Sequence, residues 1–230
     1  MKNKKIVVLI SGNGSNLQAL IDATEDSYIN ATISAVISNR AGAYGLERAR
    51  RGNIPTHIIE HTNFNDRCQF DLALQECIDQ YQPDLVVLAG FLRILSTDFV
   101  EHYHSRMLNI HPSLLPKYPG LNTHQRAIEA GDTQHGTTVH FVTPELDSGP
   151  LIIQASREIK NNKLPIEEAT QQLAHQILEQ EHIIYPLAVK WFIEDRLNLG
   201  QNGVELDGEL LKAPVQLETV SEKLPTKKIG

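Results

Sequence analysis

Short runs that are apolar on both faces constrain the fold of this chain more than any other feature. The runs over residues 5–10 and 84–90 are rich in Val, Ile and Leu, a pattern typical of strands covered by helices on both sides. Segments with helical spacing follow the predicted strands at residues 5–10, 31–38 and 56–59. Three consecutive β-then-α units predict an α/β fold with a doubly wound, mostly parallel sheet flanked by helices.

The helix predicted over residues 64–81 is amphipathic. Its apolar side is expected to consist of five residues, namely Phe70, Leu72, Leu74, Cys77 and Ile78. The apolar segment 91–95 follows the next strand directly. The end of a strand is where open α/β sheets form ligand clefts, although an ordinary strand-to-helix connection would look the same.

The second half of the chain continues the pattern and ends in a hairpin. A long helix is predicted over residues 165–196, with an interruption near Pro186 because proline lacks a backbone N–H. Asp207-Gly208 lies between alternating apolar residues and predicts a C-terminal β-hairpin. We therefore expect a single domain over residues 1–213 and a loose polar tail over residues 214–230.

Composition excludes several classes of function. The chain has 230 residues and a formal net charge of −7, and it has no long basic run, so we expect no nucleic-acid partner. No apolar run reaches membrane-spanning length, and we expect no membrane partner. Cys68 and Cys77 lack CxxC spacing and fit free thiols in a reducing compartment, so the predicted location is cytoplasmic.

A glycine-rich turn follows the first predicted strand. A helix is expected to begin near Ser15 or Asn16, and strand, turn and helix together present backbone N–H groups to a phosphate. The turn is not a P-loop, and Leu17 occupies the third glycine position of the dinucleotide fingerprint. Anion binding and a plain tight turn therefore both stay open for the segment Ser11-Gly12-Asn13-Gly14-Ser15-Asn16.

The segment over residues 108–120 concentrates polar chemistry after a short apolar run. Asn109 and His111 alternate around Ile110, so in a strand they face the same side. Ser113 follows closely, but no Gly-x-Ser-x-Gly elbow indicates a nucleophile, and no HExxH pattern or cysteine cluster indicates a metal. A surface turn with an ordinary half-buried histidine is the alternative.

A carboxylate would complete a site for acyl transfer. An amide and a protonated histidine stabilise an oxyanion, and a nearby acid favours the charged imidazole and accepts a proton through water. Asp147, in the turn over residues 145–150, is the candidate. The sequence does not show whether it meets His111 or serves only the turn.

Four motifs together resemble the phosphoribosylglycinamide formyltransferase (GAR transformylase) family, within the formyltetrahydrofolate-using superfamily. The resemblance extends from Ile6 to about Leu211, with the motifs in order. It implies a Rossmann-like formyltransferase fold, with residues 1–100 as the ribonucleotide phosphate-binding half and 101–213 as the folate and catalytic half. The motifs are Ser11-Gly12-Asn13-Gly14-Ser15-Asn16, Gly90-Phe91-Leu92-Arg93-Ile94-Leu95, the segment from Leu108 to Gly120, and Glu145-Leu146-Asp147-Ser148-Gly149-Pro150.

The resemblance also implies roles for individual residues. Ser148 departs from it, because many relatives have glycine there, and a serine fits unless the position needs a positive φ. The implied catalytic residues are Asn109, His111 and Asp147. The implied ribonucleotide contacts are Gly14, Ser15, Asn16 and Glu181, the last to the ribose. The implied folate contacts are Arg67, Leu92, Arg93, Ile94, Leu95 and Asn109.

The implied reaction transfers a formyl group from 10-formyltetrahydrofolate to the amine of glycinamide ribonucleotide by direct attack through a tetrahedral intermediate. The folate is a co-substrate, no metal is expected, and the protein is expected to be a monomer or homodimer. Methionyl-tRNA formyltransferase and formyltetrahydrofolate hydrolase are the nearest alternatives. A nucleotide-binding module with a dead active site is a further alternative, and a structural or interaction protein is the least favoured.

Overall fold

The computed structural model describes residues 3–159, 164–223 and 225. Its strands and helices alternate through most of the chain, as the β-then-α pattern predicts. The helices are α1 (Ser15–Glu25), α2 (Gly45–Arg51), α3 (Arg67–Asp79), α4 (Thr97–His102), α5 (Thr123–Glu129) and α6 (Ile166–Ile193). The strands are β1 (Lys4–Ile10), β2 (Ala31–Ser38), β3 (Thr56–Ile58), β4 (Leu85–Leu88), β5 (Met107–His111), β6 (Gln134–Phe141), β7 (Leu151–Glu158), β8 (Leu197–Gly200), β9 (Gly203–Leu206), β10 (Glu209–Leu210) and β11 (Val215–Gln216).

Eight strands form the main sheet, in the order β11-β7-β6-β5-β4-β1-β2-β3. Strands β3, β2, β1, β4 and β5 are parallel, and β6 runs antiparallel to both of its neighbours. The predicted doubly wound, mostly parallel α/β sheet is confirmed. The connection reverses direction between β1 and β4, and the carboxyl ends of strands at such a point form the ligand crevice of open α/β sheets.

Helices cover both faces of this sheet, and β1 shows why its sequence has no polar alternation. Ile6 and Val8 pack into one core with residues of α1, α2 and α6. Val7 and Leu9 pack into a second core with residues of α3 and α4. Each side chain from Ile6 to Ile10 is thus buried on one face or the other.

The helix predicted over residues 64–81 forms as α3 and has an apolar side. One residue expected on that side, Leu72, instead faces solvent. Asp66 caps the helix, because its carboxylate accepts a hydrogen bond from the backbone N–H of Gln69 at 2.9 Å. Phe70 and Leu74 are buried as predicted, whereas Leu72 is 57% exposed. Asp71 takes the buried position beside Phe70.

The prediction that the helix is interrupted near Pro186 is wrong. The helix α6 continues from Ile166 to Ile193 with Pro186 inside it. Proline removes one hydrogen bond of the helix. The neighbouring residues Ile184, Tyr185 and Leu187 are fully buried against the sheet, and their packing outweighs that loss.

The C-terminal hairpin is confirmed, and a third strand joins it. Strands β9 and β10 pair antiparallel around Asp207-Gly208, and β8 pairs with β9. The described part of the tail is not loose as expected. Strand β11 extends the main sheet beside β7, and Val215, Leu217 and Val220 pack against the core. Residues 224 and 226–230 of the predicted tail lie outside the described residues.

Candidate active site

The candidate catalytic residues meet at the carboxyl end of β5. Asn109 and His111 lie on the same face of this strand, and Asp147 approaches from the turn between β6 and β7. The Nδ1 atom of His111 lies 3.4 Å from Oδ2 of Asp147, and both side chains are largely buried. Asp147 has a φ of +49°, a left-handed conformation that aspartate tolerates better than most residues. The structure therefore brings together the three residues that the sequence analysis singled out.

The loop after β5 holds both members of the His111–Asp147 pair. The Nε2–H of His111 donates to the carbonyl oxygen of Tyr118 at 2.9 Å. The backbone N–H of Gly120 donates to Oδ2 of Asp147 at 2.8 Å. A carboxylate on one side of the ring and a carbonyl on the other thus fix the orientation of His111.

His140 orients the amide of Asn109, a contact that the sequence analysis missed. The Nδ2 group of Asn109 donates to Nε2 of His140 at 3.1 Å, and the Nδ1–H of His140 donates to the carbonyl oxygen of Phe141 at 2.8 Å. Burial lowers the pKa of His140 to about 4, which keeps its Nε2 unprotonated as an acceptor. Antiparallel pairing of β5 with β6 places His140 opposite Asn109. No local sequence pattern encodes this pairing, and the sequence alone therefore carried no signal of the contact.

A cleft lies between the segment after β4 and the turn that carries Asp147. Asn109, His140 and Asp147 are among its lining residues, whereas His111 is not. Arg93, Ile94 and Leu95 also line it, so three of the predicted folate contacts lie in the same cleft as the candidate catalytic residues Asn109 and Asp147. Leu92 and Arg67 are not among the lining residues. Leu92 is 55% exposed, and Arg67 is an exposed residue at the start of α3.

The glycine-rich turn presents the N-terminus of α1. Gly14 precedes the helix with a φ of +75°, and no side chain caps it. The first backbone N–H groups of the helix, from Ser15 and Asn16 onward, therefore remain available for an anion. A Cβ on Gly14 would lie 2.6 Å from the Cα of Gly45, so α2 packs directly against the turn.

Arg48 of α2 fastens the same turn. Its Nε–H donates to the carbonyl oxygen of Asn13 at 2.9 Å, and its Nη2 group donates to Oδ1 of Asn13 at 2.9 Å. The sequence analysis did not single out Arg48, because no motif marks a residue 35 positions away as the partner of the turn.

Glu181 joins α6 to the turn. The Nδ2 group of Asn16 donates to Oε2 of Glu181 at 2.6 Å. Burial raises the pKa of Glu181 to about 7, although the hydrogen bond from Asn16 lowers it. The Oδ1 atom of Asn16 is buried and has no hydrogen-bond partner among the described residues. The four residues expected to contact the ribonucleotide thus lie at one place beside the turn.

Ser113 and Ser148, which the sequence analysis also considered, have defined conformations in the structure. Ser113 is fully buried and its hydroxyl donates to the carbonyl oxygen of Lys117 at 2.6 Å, so it fastens the loop. The φ of Ser148 is not positive, so a serine fits there. No group of three or more His, Cys, Asp or Glu in residues 3–159, 164–223 and 225 is arranged to hold a metal. No helix in those ranges is both long and apolar enough to cross a membrane.

The fold and the site define a class of protein: an α/β enzyme with an amide, an imidazole and a carboxylate at the carboxyl edge of its sheet. The family model described as Formyl transferase matches residues 4–189. This match covers most of the chain, which therefore belongs to the formyl transferase family. The resemblance to phosphoribosylglycinamide formyltransferases noted in the sequence is confirmed by the relatives described next.

Relatives with that name cover nearly the whole chain. The phosphoribosylglycinamide formyltransferase of Escherichia coli (strain K12) is 54% identical over 208 residues, or 90% of this chain and 95% of the relative. That of Haemophilus influenzae is 49% identical over 210 residues, with 90% and 96% covered. The solved structure of the Coxiella burnetii phosphoribosylglycinamide formyltransferase is 52% identical, with a TM-score of 0.87 over 94% of this chain and 99% of that one.

Proposed function

We propose that this chain transfers the formyl group of 10-formyltetrahydrofolate to the amine of glycinamide ribonucleotide. The products are formylglycinamide ribonucleotide and tetrahydrofolate, a step of de novo purine biosynthesis. The observation that carries the proposal is the buried contact between His111 and Asp147, 3.4 Å apart, with Asp147 and Asn109 both lining the cleft. The names of the relatives support the choice of acceptor.

In the proposed reaction the amine attacks the formyl carbon and forms a tetrahedral intermediate. The amide N–H of Asn109 that His140 does not engage and the Nε2–H of His111 would stabilise the oxyanion. The formyl oxygen would take the place of the Tyr118 carbonyl, which now accepts the Nε2–H. Asp147 orients His111. As the intermediate collapses, the carbon–nitrogen bond to the folate breaks, and the proton lost by the attacking amine passes to the leaving nitrogen, through water near Asp147.

The two substrates are proposed to bind on different sides of β1. The ribonucleotide phosphate would lie on the N-terminus of α1, near Gly14, Ser15 and Asn16, with its ribose near Glu181. The pterin would occupy the cleft beside Arg93, Ile94 and Leu95, with Leu92 and Arg67 at its outer rim. The assignment of residues 1–100 to the phosphate and 101–213 to folate and catalysis remains a prediction. The cytoplasmic location and the monomer or homodimer state remain predictions as well.

The test is the absorbance change on loss of the formyl group from 10-formyltetrahydrofolate, with and without glycinamide ribonucleotide. We expect rapid loss only when the ribonucleotide is present. Loss without it would instead indicate a hydrolase. No loss with either mixture would contradict the proposal, and initiator methionyl-tRNA would then be tried as the acceptor.

The variant Asn109→Ala tests the proposed oxyanion contact. Removing one such donor typically lowers turnover by about 10²–10³-fold, and we expect a loss of kcat in that range. Asn202→Ala, which removes an exposed amide in the turn between β8 and β9, is the control and should retain wild-type turnover. Near-normal turnover of a folded Asn109→Ala protein would remove Asn109 from the mechanism.

A further inference from the structure

Asp71 is a buried acid that the proposed chemistry does not use. It lies on α3, behind the segment of residues 91–95 that lines the cleft, and it is 2% exposed. One carboxylate oxygen, Oδ2, accepts the backbone N–H of Ser96 at 2.6 Å. The other, Oδ1, is buried and has no hydrogen-bond partner among the described residues. Burying a carboxylate with one oxygen unpaired costs free energy, so we expect Asp71 to have a role that offsets this cost.

The segment over residues 91–95, here called the wall segment, is neither helix nor strand. Its beginning is attached to the turn after β1, because the N–H of Leu92 donates to Oγ of Ser11 at 2.8 Å. Its end is attached to α3 by the bond from Ser96 to Asp71. Between these two attachments, the backbone N–H groups of residues 93–95 donate to no described residue. These open groups lie in the part of the chain that lines the cleft.

Two arginine side chains place positive charge near the carboxylate of Asp71. Burial raises the pKa of Asp71, while hydrogen bonds from the backbone and the side chain of Ser96 and the nearby guanidinium groups of Arg67 and Arg93 lower it. Arg67 lies one helical turn before Asp71, and Arg93 belongs to the wall segment. The Nε of Arg93 is buried and has no hydrogen-bond partner among the described residues, and the guanidinium group lies over the Phe70 ring, 5.8 Å from its centre.

We infer that Asp71 is a positioning residue for the folate substrate: it anchors the end of the wall segment to α3 and so sets where the open backbone groups of residues 93–95 face the cleft. This inference depends on the proposed function for the identity of the ligand, but the anchor itself does not. Asp71 touches no reacting atom. Its loss should therefore weaken binding of the folate and leave the ribonucleotide site unchanged.

Kinetics of Asp71→Ala test the role in binding. We expect KM for 10-formyltetrahydrofolate to rise about tenfold or more, because misplacing groups in a site by about 1 Å is costly. KM for the ribonucleotide and kcat at saturation should stay within about threefold of wild type. Asp71→Asn keeps an acceptor oxygen for the N–H of Ser96 and should restore most of the folate KM.

The matched control is Asp79→Ala at the other end of α3. Asp79 also ties this helix to α4, accepting from the hydroxyl of Tyr103 and from Nε2 of His102, each at 2.9 Å. A comparable loss of stability is expected, with no change in the folate KM. An equal rise of the folate KM in the Asp79 variant, or a folate KM within twofold of wild type in Asp71→Ala, would overturn the inference.

Hydrogen exchange tests the anchor without any substrate. In the wild-type protein we expect the N–H of Ser96 to be protected from exchange as well as the amides of β4, and Asp71→Ala should lose that protection across the wall segment. Exchange of the Ser96 amide at the rate of an unstructured chain in the wild type would overturn the inference, even if Asp71→Ala does not fold. If the wild-type protein showed no formyl-transfer activity, the proposed function would be refuted. The exchange result would still show whether Asp71 anchors the wall segment.

Discussion

Glu181 is an ionisable residue whose burial disfavours its charge. Its partner Asn16 donates a single hydrogen bond, and burial still raises the pKa of the acid to about 7, from 4.5. Between these two pH values the folded protein binds more protons at this position than the unfolded chain does. The contribution of Glu181 to stability is therefore full below about pH 4.5 and falls as the pH rises through 7.

Replacing this acid should remove that part of the pH dependence. We expect the difference in free energy of unfolding, Glu181→Gln minus wild type, to grow by roughly 2–4 kcal/mol as the pH rises from 4.5 to 8. Urea unfolding of both proteins across that range measures the difference. Glu168→Gln changes an exposed acid of the same helix and should follow the wild-type curve. A Glu181→Gln curve parallel to wild type would show that the carboxylate is charged throughout.

Single residues of the site were only partly predictable. Asn109 and His111 were placed together because alternation along one strand is a local rule. Their contacts with His140 and Asp147 depend on strand pairing and on a turn that returns from elsewhere, and no local pattern encodes either. The same holds for Asp71, a charged residue on a helix face whose spacing suggested Leu72 instead.

At the level of elements, the glycine-rich turn depends on the short helix α2 beside it. The turn has no side-chain cap of its own, and α2 supplies both the close contact at Gly45 and the two hydrogen bonds from Arg48. A turn fastened in this way loses little entropy when an anion binds, because its N–H groups are already directed outward.

The variant Arg48→Met should loosen the turn. Methionine keeps much of the apolar stem but removes both bonds to Asn13, so we expect the ribonucleotide KM to rise about tenfold and the folate KM to stay unchanged. Steady-state kinetics with each substrate varied in turn supply the measurement. Arg50→Met, on the exposed side of the same helix, should behave as wild type. If both variants shift the ribonucleotide KM equally, overall charge rather than the turn is responsible.

At the level of the whole molecule, the tail closes over the end of α6. The carboxylate of Glu222 accepts from Nε1 of Trp191 at 2.7 Å and from Lys190 and Arg196, each at 3.2 Å. Burial tends to raise the pKa of this acid, but these three donors lower it overall. Its contribution to stability is therefore present above its unfolded pKa of 4.5 and is lost as the pH falls below that value.

The variant Glu222→Gln tests this closure. At pH 7 we expect the free energy of unfolding to fall by about 1–2 kcal/mol, because one charged acceptor for three donors is lost. The loss should disappear in acid, where the wild-type acid is protonated too. Glu218→Gln alters an exposed acid of the same tail and should change stability by less than about 0.5 kcal/mol. A Glu222→Gln protein as stable as wild type at pH 7 would show that the tail is held by its apolar residues alone.

The fold as a whole was more predictable than its ends. Buried strands and amphipathic helices have periodic sequences, so the sheet, its first four strands and the hairpin followed from the pattern. The tail was mistaken for a loose segment, because Val215, Leu217 and Val220 are scattered among polar residues and gain their packing only from the finished core. Pro186 likewise stays helical because of tertiary packing.

The hydroxyl of Ser11 links two parts of the molecule that are proposed to bind different substrates. Its one hydrogen is donated to Oδ1 of Asn39 at 2.6 Å, while the same oxygen accepts the N–H of Leu92. The glycine-rich turn, proposed to bind the ribonucleotide, and the wall segment, proposed to bind the folate, are thus joined through the hydroxyl of Ser11. Binding of a ligand that orders one of these segments therefore reduces the conformational entropy that the other segment loses when its own ligand binds. Thermodynamic linkage makes any such cooperativity between the two substrates reciprocal, whichever of them binds first.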